Sequence, residues 1–221
     1  MYNLLAIRSA ARRDAQAGFS VAELLIVLAV MAILIAISIP MLSSYRKLYR
    51  SDDQSKRIMD MMSEAGQTAL VKRKTIRFEI DLTDNVMLLI EDKGPTSPGV
   101  LIKKQPLDKT SDLRVDTIPA GVTKPNPPNY NDAVFASDSV GHTDGANTIN
   151  AHKVWYARFQ SDGSVINYSG APVSANLYIW PPQTSGSLTP RNKGEVRVIT
   201  MFGGSGAIRY WKFAGTVFVA T

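Results

Sequence analysis

Glu23 is the residue whose position in this chain most constrains its chemistry. It is the only charged side chain in residues 19–39, which are apolar apart from Ser20 and Ser38. A carboxylate at the centre of an apolar segment that crosses a bilayer costs about 2.5–3.5 kcal/mol, and less near an end. The position of Glu23 therefore predicts a compensating role for its charge.

Residues 19–39 form the element that must position Glu23. At about 1.5 Å per residue, a helix of this length spans roughly 30 Å, the thickness of the hydrocarbon core of a bilayer. Its apolar side chains leave no polar face. A helix that is apolar on all sides is either a membrane span or a deeply buried core helix. The adjacent basic N-terminus, with Arg8, Arg12 and Arg13, favours a membrane span.

The sequence Gly18-Phe19-Ser20-x-x-Glu23 before a long apolar helix resembles the N-terminal signature of type IV prepilins. The resemblance implies that a prepilin peptidase/N-methyltransferase cuts between Gly18 and Phe19 and methylates the new amine of Phe19. It also implies that Glu23 pairs with the N-terminal amine of a neighbouring subunit during assembly. A proline at the spacing of Pro40 is common in the same family.

Two other interpretations of the N-terminus account for fewer of these residues. A secretory signal peptide has an apolar region of about 7–15 residues and a small-x-small cleavage site. Residues 36–38 could form such a site and the arginine pair 12–13 a twin-arginine signal, but the apolar run is too long. A plain membrane anchor explains the length of the run and leaves Gly18, Phe19 and Glu23 without a role.

The remaining pattern divides the chain into segments. Pro40 follows the apolar run, and a proline inside a helix removes one backbone hydrogen bond, so we expect a kink there. Apolar residues then recur every three to four positions, which predicts an amphipathic helix. The predicted segments are a leader peptide (1–18), a transmembrane helix (19–40), its amphipathic continuation (41–72), and a β-rich domain (73–221) with a proline-rich surface excursion (94–131). The resemblance to type IV prepilins implies that the leader is cytoplasmic and the β-rich domain extracytoplasmic.

Alternating and short apolar runs, separated by turn residues, predict strands after residue 73. Asp84 and Asn85 separate two such runs, at 75–80 and 86–90, which predicts a hairpin. Consecutive hairpins after one long helix indicate an α+β fold of pilin-like architecture, with the helix packed on an antiparallel sheet. Further strands are predicted at 154–159, 165–168, 177–180, 195–201, 207–213 and 217–219.

A second resemblance lies in this β-rich region. Two short motifs there, Phe159-x-x-Asp162-Gly163-Ser164 and Gly206-x-x-Arg209, are similar to those of the GspH/FimT-type minor pilins. That group contains minor subunits of type IV pili and of type II secretion pseudopili, so the resemblance implies a structural subunit of one of these filaments.

Some members of that group bind DNA through arginines of the last strand, often in a Gly-Arg-x-Arg motif. In this chain Ala207 stands at the first arginine position and only Arg209 matches. The candidate DNA contacts are Arg197, Arg209 and Lys212. Strand alternation places Arg209 and Lys212 on opposite faces, which favours solvated surface charge over a phosphate-binding patch. Removing residues 1–18 takes away three arginines and one aspartate and lowers the formal net charge from +6 to +4, a mild bias.

Sequence patterns typical of enzymes are missing. The chain has no cysteine, which excludes disulfides and thiolate chemistry. Its two histidines, His142 and His152, lie in or beside a loop, and neither has a metal-ligand spacing with a partner. A Gly-x-Ser-x-Gly nucleophile motif and a phosphate-binding loop are also absent. We therefore expect no catalytic residue, metal or cofactor, and a membrane-anchored periplasmic enzyme is the third and weakest alternative.

The expected function is that of a minor pilin or pseudopilin, assembled into a type IV pilus or a type II secretion pseudopilus after leader cleavage and N-methylation. Its expected partners are prepilin peptidase/N-methyltransferase, other pilins or pseudopilins, the inner-membrane assembly platform and membrane lipid. DNA is the partner in the alternative, a DNA-binding pilin for DNA uptake. The expected location is the inner membrane, in a single pass with the C-terminal domain extracytoplasmic, and then the filament.

Overall fold

The computed structural model describes residues 20–137, 140–143 and 147–221. A long helix, α1 (Val21–Lys72), precedes a region built of strands. The chain divides between Arg46 and Lys47 into two compact units. The first part of α1 therefore belongs to the N-terminal unit, and the rest of α1 and the described strands belong to the C-terminal unit.

The described part of the N-terminal unit is an apolar helix. Residues 21–38 of α1 are exposed and are long and apolar enough to cross a membrane. Within the described ranges, α1 is the one helix that meets both conditions. Leaving such side chains in water costs about 25 cal/mol per Å² of apolar surface, so this length of exposed apolar helix is typical of a segment placed in lipid.

One face of α1 is buried in the C-terminal unit, as the predicted amphipathic pattern requires. The buried side chains recur at three- and four-residue intervals, so they form a stripe along the helix. Met61 and Met62 lie in the main hydrophobic core, where their flexible side chains fill the space between helix and sheets. The stripe consists of Ile58, Met61, Met62, Ala65 and Ala69.

The strands form two larger antiparallel sheets and one small hairpin. Their bounds are β1 (Ile76–Asp81), β2 (Val86–Glu91), β3 (Val100–Pro106), β4 (Arg114–Asp116), β5 (Ala136–Ser137), β6 (His142–Thr143), β7 (Thr148–Ile149), β8 (Lys153–Phe159), β9 (Val165–Ile166), β10 (Ala175–Trp180), β11 (Arg197–Met201), β12 (Ile208–Phe213) and β13 (Phe218–Ala220). The first sheet has the order β3-β2-β1-β8-β5, with β9 paired to β8. The second has the order β13-β12-β11-β10-β4, and β6 pairs with β7.

The structure confirms the α+β fold with a long N-terminal helix and antiparallel sheets. β1 and β2 form the predicted hairpin, and its turn uses Asn85 in the left-handed region, with φ 54°. β11 and β12 form the second predicted hairpin around residues 202–207. Ile199 and Tyr210 of this hairpin face the main core with the α1 stripe, whereas Val198 and Trp211 face a second apolar cluster.

The proline-rich segment 94–131 differs from the predicted surface excursion. It contains β3 and β4, and Leu107, Leu113 and Val115 are buried in the main core. β3 is an edge strand that alternates between exposed and half-buried residues, so it lacks the apolar alternation that marks a strand in the sequence. Edge strands also tolerate proline, so the prolines that predicted a surface excursion are compatible with a strand here.

The polar stretch of α1 before the apolar stripe is buried as well. Ser51 and Gln54 lie on the buried face. Gln54 Oε1 accepts a 2.7 Å hydrogen bond from Arg57 and a 3.1 Å hydrogen bond from the amide of Asp108. Arg57 also forms a 3.0 Å ion pair with Asp108. These bonds attach the helix to the loop after β3. In this part of α1, hydrogen bonds and an ion pair therefore replace apolar contacts.

Candidate functional sites

Glu23 caps the start of α1. The Ser20 amide donates a 3.0 Å hydrogen bond to Glu23 Oε2, and the Glu23 amide donates a 3.1 Å hydrogen bond to Ser20 Oγ. This reciprocal pair is a capping box, which satisfies two amides that the first turn of a helix leaves without partners. The Ser-x-x-Glu spacing in the sequence is typical of a capping box, but the cap was not predicted. The predicted cleavage junction, Gly18-Phe19, lies outside the described residues.

Pro40 does not end the helix. α1 continues through it in the backbone assignment, from Val21 to Lys72. A proline within a helix bends it because its ring displaces the preceding turn. A helix can be continuous and still be bent, so the kink at Pro40 remains a prediction. The local melting that a proline can also cause is not seen in the described backbone.

Arg197, one of the three candidate DNA contacts, is 8% exposed. Its Nε donates a 2.6 Å hydrogen bond to Asp52 Oδ1, and its Nη1 donates to the carbonyls of Gly194 and Val196 at 2.7 and 3.0 Å. The Tyr210 hydroxyl also donates to Asp52. Partial burial opposes ionisation of Asp52, but Arg197 and Tyr210 outweigh it and lower its pKa to about 2. Arg197 therefore holds a strand to α1.

Arg209 and Lys212, the other two candidates, lie on opposite faces of β12. Lys212 is on the face of Arg197, its strand partner, and its Nζ lies 3.6 Å from Asp52 Oδ1. Arg209 lies over the rings of Phe202 and Trp211, 5.7 and 5.5 Å from their centroids. The structure thus does not bring the three residues into one basic patch, and the predicted split between faces is observed.

The two turn motifs of the second resemblance meet in space. A Cβ on Gly206 would lie 2.5 Å from the carbonyl oxygen of Gly163, and Gly206 has φ 64°. Beside them, the Val165 amide donates a 2.7 Å hydrogen bond to the Gly203 carbonyl. Val165 belongs to the first sheet and Gly203 to the turn after β11, so these turns join the two sheets. The motif residues have a structural role at this junction.

The two histidines lie together beside buried carboxylates. His152 Nδ1 is 2.6 Å from Asp81 Oδ2, and His142 Nε2 is 3.7 Å from the same oxygen. One ligand atom from each of the three residues lies within 4.8 Å of the others. This cluster was not predicted from the sequence, because β1 lies far from both histidines in the chain.

The cluster carries a high density of buried charge. Glu79 and Asp81 are fully buried, and His142 and Arg77 are almost so. His142 Nδ1 is 2.8 Å from Glu79 Oε1, and Arg77 Nε is 3.2 Å from Glu79 Oε2. Burial alone would lower the pKa of His142, but Glu79 and Asp81 raise it above its ordinary value. Such a group of carboxylate and imidazole ligands could hold a metal ion.

Comparison with known proteins identifies the N-terminal pattern. A family model described as the prokaryotic N-terminal methylation motif matches residues 13–39. This range includes Gly18, Phe19 and Glu23, and it overlaps the apolar part of α1. Searches of curated proteins and of solved structures gave no match.

Proposed function

We propose that this type IV prepilin-like chain is a minor pilin or pseudopilin, a structural subunit of a type IV pilus or of a type II secretion pseudopilus. The observation that carries the proposal is the match of residues 13–39 to the prokaryotic N-terminal methylation motif. The exposed apolar helix and the antiparallel β-domain that follows it are the two parts such a subunit needs. The motif indicates a structural subunit rather than an enzyme.

The N-terminus is processed in the membrane. The chain crosses the inner membrane once, with the leader 1–18 in the cytoplasm and the β-domain outside. Prepilin peptidase cuts between Gly18 and Phe19, where glycine offers an extended backbone with no side chain to obstruct the enzyme. Methylation of the Phe19 amine follows. Cleavage thus creates a positively charged amine on Phe19, at the start of the apolar segment that contains Glu23.

Glu23 guides docking into the filament. An ammonium group and a carboxylate are each costly in lipid, and they offset this cost when they pair. The carboxylate is held at the helix start by the capping box with Ser20, so it is fixed in position before a partner arrives. We expect the Phe19 amine of a neighbouring subunit to bind there, which selects subunits that have lost their leader.

Two substitutions separate the charge of Glu23 from its capping role. Glu23→Ala removes both, whereas Glu23→Gln removes the charge and keeps a side chain that can complete a capping box. We expect both variants to be cleaved, methylated and inserted in the membrane, and both to be incorporated into filaments at least about tenfold less than the unchanged chain, the effect of about 1.4 kcal/mol. Intact mass measures processing, and co-purification with sheared filaments or partner subunits measures assembly.

Each part of the proposal has its own contrary result. A mass that retains residues 1–18 in cells with active prepilin peptidase would exclude the proposed processing. Normal assembly of Glu23→Gln, beside poor assembly of Glu23→Ala, would assign the effect to helix capping and not to charge. Ser20→Ala, which weakens the cap and keeps the carboxylate, is the matched control and should assemble better than either Glu23 variant.

A further inference from the structure

We propose that Asp81, His142 and His152 bind one divalent transition-metal ion such as Zn²⁺. The site joins three elements: the end of β1, the hairpin β6–β7, and the residue before β8. It is independent of the proposed role of the chain in a filament, because it lies in the β-domain and uses none of the residues that the N-terminal motif involves.

The ligand atoms are spaced for a small ion after a modest movement. Zn²⁺ binds nitrogen and oxygen at about 2.0–2.2 Å, which places tetrahedral ligands roughly 3.3 Å apart. Asp81 Oδ2 lies 3.7 Å from His142 Nε2 and 2.6 Å from His152 Nδ1. The short second contact is that of a hydrogen bond, with a proton in the place of a metal. Binding therefore requires the Asp81 oxygen and the His152 nitrogen to separate by about 0.7 Å, roughly one-third of a metal–ligand bond.

Contacts with neighbouring backbone amides and with Glu79 hold two of the ligands in orientation. Asp81 Oδ1 accepts hydrogen bonds from the amides of Thr83 and Asp84, at 2.7 and 3.1 Å, and this leaves Oδ2 facing the histidines. On His142, Nδ1 lies beside Glu79 while Nε2 faces Asp81. Metal-bound histidines commonly donate their other ring N–H to a carboxylate, which fixes the tautomer and strengthens the ligand.

The buried charges around the site favour a bound cation. Glu79 and Asp81 are fully buried, and the buried cation beside them is Arg77, which pairs with Glu79. The two carboxylates carry two negative charges and Arg77 one positive charge, so these three side chains together are anionic. Glu79 is paired with Arg77 at 3.2 Å and with His142 Nδ1 at 2.8 Å, whereas Oδ2 of Asp81 faces only the two histidines in the described part of the chain. Buried negative charge is costly unless it is balanced, and a metal ion at Asp81 would offset that cost.

The ligand types select the kind of ion. Two imidazole nitrogens and one carboxylate oxygen suit Zn²⁺, Cu²⁺ or Ni²⁺, whereas Ca²⁺ and Mg²⁺ prefer sites built of oxygen ligands. The bound ion would stabilise β6 and β7, which have two residues each and form a pair too short to be stable alone. The structural consequence is that the segment around His142 is fastened to the first sheet.

The test uses the full chain in detergent, with its purification tag removed and metals stripped by a chelator. The chain has two histidines and no cysteine, so imidazole ligands can come only from His142 and His152. Calorimetric titration with ZnCl₂ should give one ion per chain with micromolar or tighter affinity, and Zn²⁺ should raise the melting temperature. His152→Gln should weaken binding at least about tenfold. Asp60→Asn, which removes an exposed carboxylate on α1, should bind Zn²⁺ as the unchanged chain does.

His152 is the better position to change because it is partly exposed, whereas His142 is buried and its replacement could unfold the chain. A second measurement needs no variant: the electron paramagnetic resonance spectrum of bound Cu²⁺ should contain hyperfine coupling to two imidazole nitrogens. Zn²⁺ binding that is unaffected by His152→Gln, displacement of Zn²⁺ by a hundredfold excess of Ca²⁺, roughly the two-decade preference expected of such ligands, or no detectable binding would each overturn the proposal.

Discussion

At the scale of single residues, Asp52 holds the helix and the second sheet together. It contacts Arg197, Tyr210 and Lys212, which are far from it in the chain. The separation of 145 positions between Asp52 and Arg197 explains why Arg197 was predicted as a candidate DNA contact. A cation in a strand looks the same in a sequence whether its partner is a phosphate or a buried aspartate.

Asp52→Asn should lower the free energy of unfolding by about 2 kcal/mol at pH 7, because it removes charge-assisted hydrogen bonds. The folded pKa of Asp52, about 2, lies below its ordinary value of 3.8. Ionised Asp52 therefore stabilises the fold above pH 3.8, and this contribution is lost as the pH falls toward 2. Denaturant unfolding of both chains between pH 7 and pH 2 measures the difference, which should shrink in the acidic range.

The neighbouring residue provides the control for that experiment. Asp53 has a side chain that is 71% exposed and pairs with Arg57 across one helical turn. Such exposed pairs contribute little, so Asp53→Asn should change the stability by less than about 0.5 kcal/mol. Equal effects of the two substitutions, or a difference between the Asp52 variant and the unchanged chain that persists at pH 2, would contradict the role given to Asp52.

Whether a site could be predicted depended on how close its residues are in the chain. Gly18, Phe19 and Glu23 lie within six positions, so their types and spacing were readable directly. The cluster of Asp81 with the two histidines depends on β1 and β8 pairing in register, which brings Asp81 opposite Val154. No spacing in the sequence reports that register, because strand pairing is set by the whole sheet.

At the scale of elements, strands with apolar alternation were predicted and strands without it were missed. β1, β2 and β12 were placed to within one residue or so, because their buried faces and flanking turns are explicit in the sequence. β3 and β4 were missed, since an edge strand and a three-residue strand leave little apolar pattern. In both missed strands, the weak apolar pattern accompanies a position at the edge of a sheet.

The turn after β11 should tolerate substitution at its second glycine, Gly204, and not at its first, Gly203. A Cβ on Gly203 would lie 2.6–2.8 Å from three backbone atoms of Val173, which cannot move without disturbing the junction of the sheets. A Cβ on Gly204 would meet nothing within 4 Å. We expect Gly203→Ala to lower the free energy of unfolding by about 1–3 kcal/mol and Gly204→Ala to be nearly neutral. Chemical denaturation of the two variants tests this, and equal stability would show that the turn adjusts.

At the scale of the whole molecule, the chain consists of two units, one with an apolar helix suited to lipid and one with its own hydrophobic core. Residues 21–38 are apolar on every side, and residues 47–221 form their own core of helix and sheets. Membrane span, helix stripe and fold class were all predictable, because each depends on composition and periodicity along a single element. The arrangement of two sheets was not, since it depends on how separate hairpins meet.

A fragment that begins at Tyr45 should therefore fold without the membrane. It keeps the buried helix stripe, both sheets and the Asp52 contacts, and it loses the exposed apolar side chains of residues 21–38. We expect it to be soluble and monomeric, to unfold in one cooperative thermal transition, and to be insensitive to reductant because the chain has no cysteine. The full chain, measured in parallel, should need detergent. Sedimentation and circular dichroism test this, and an aggregated fragment without a cooperative transition would mean that the β-domain depends on the apolar helix.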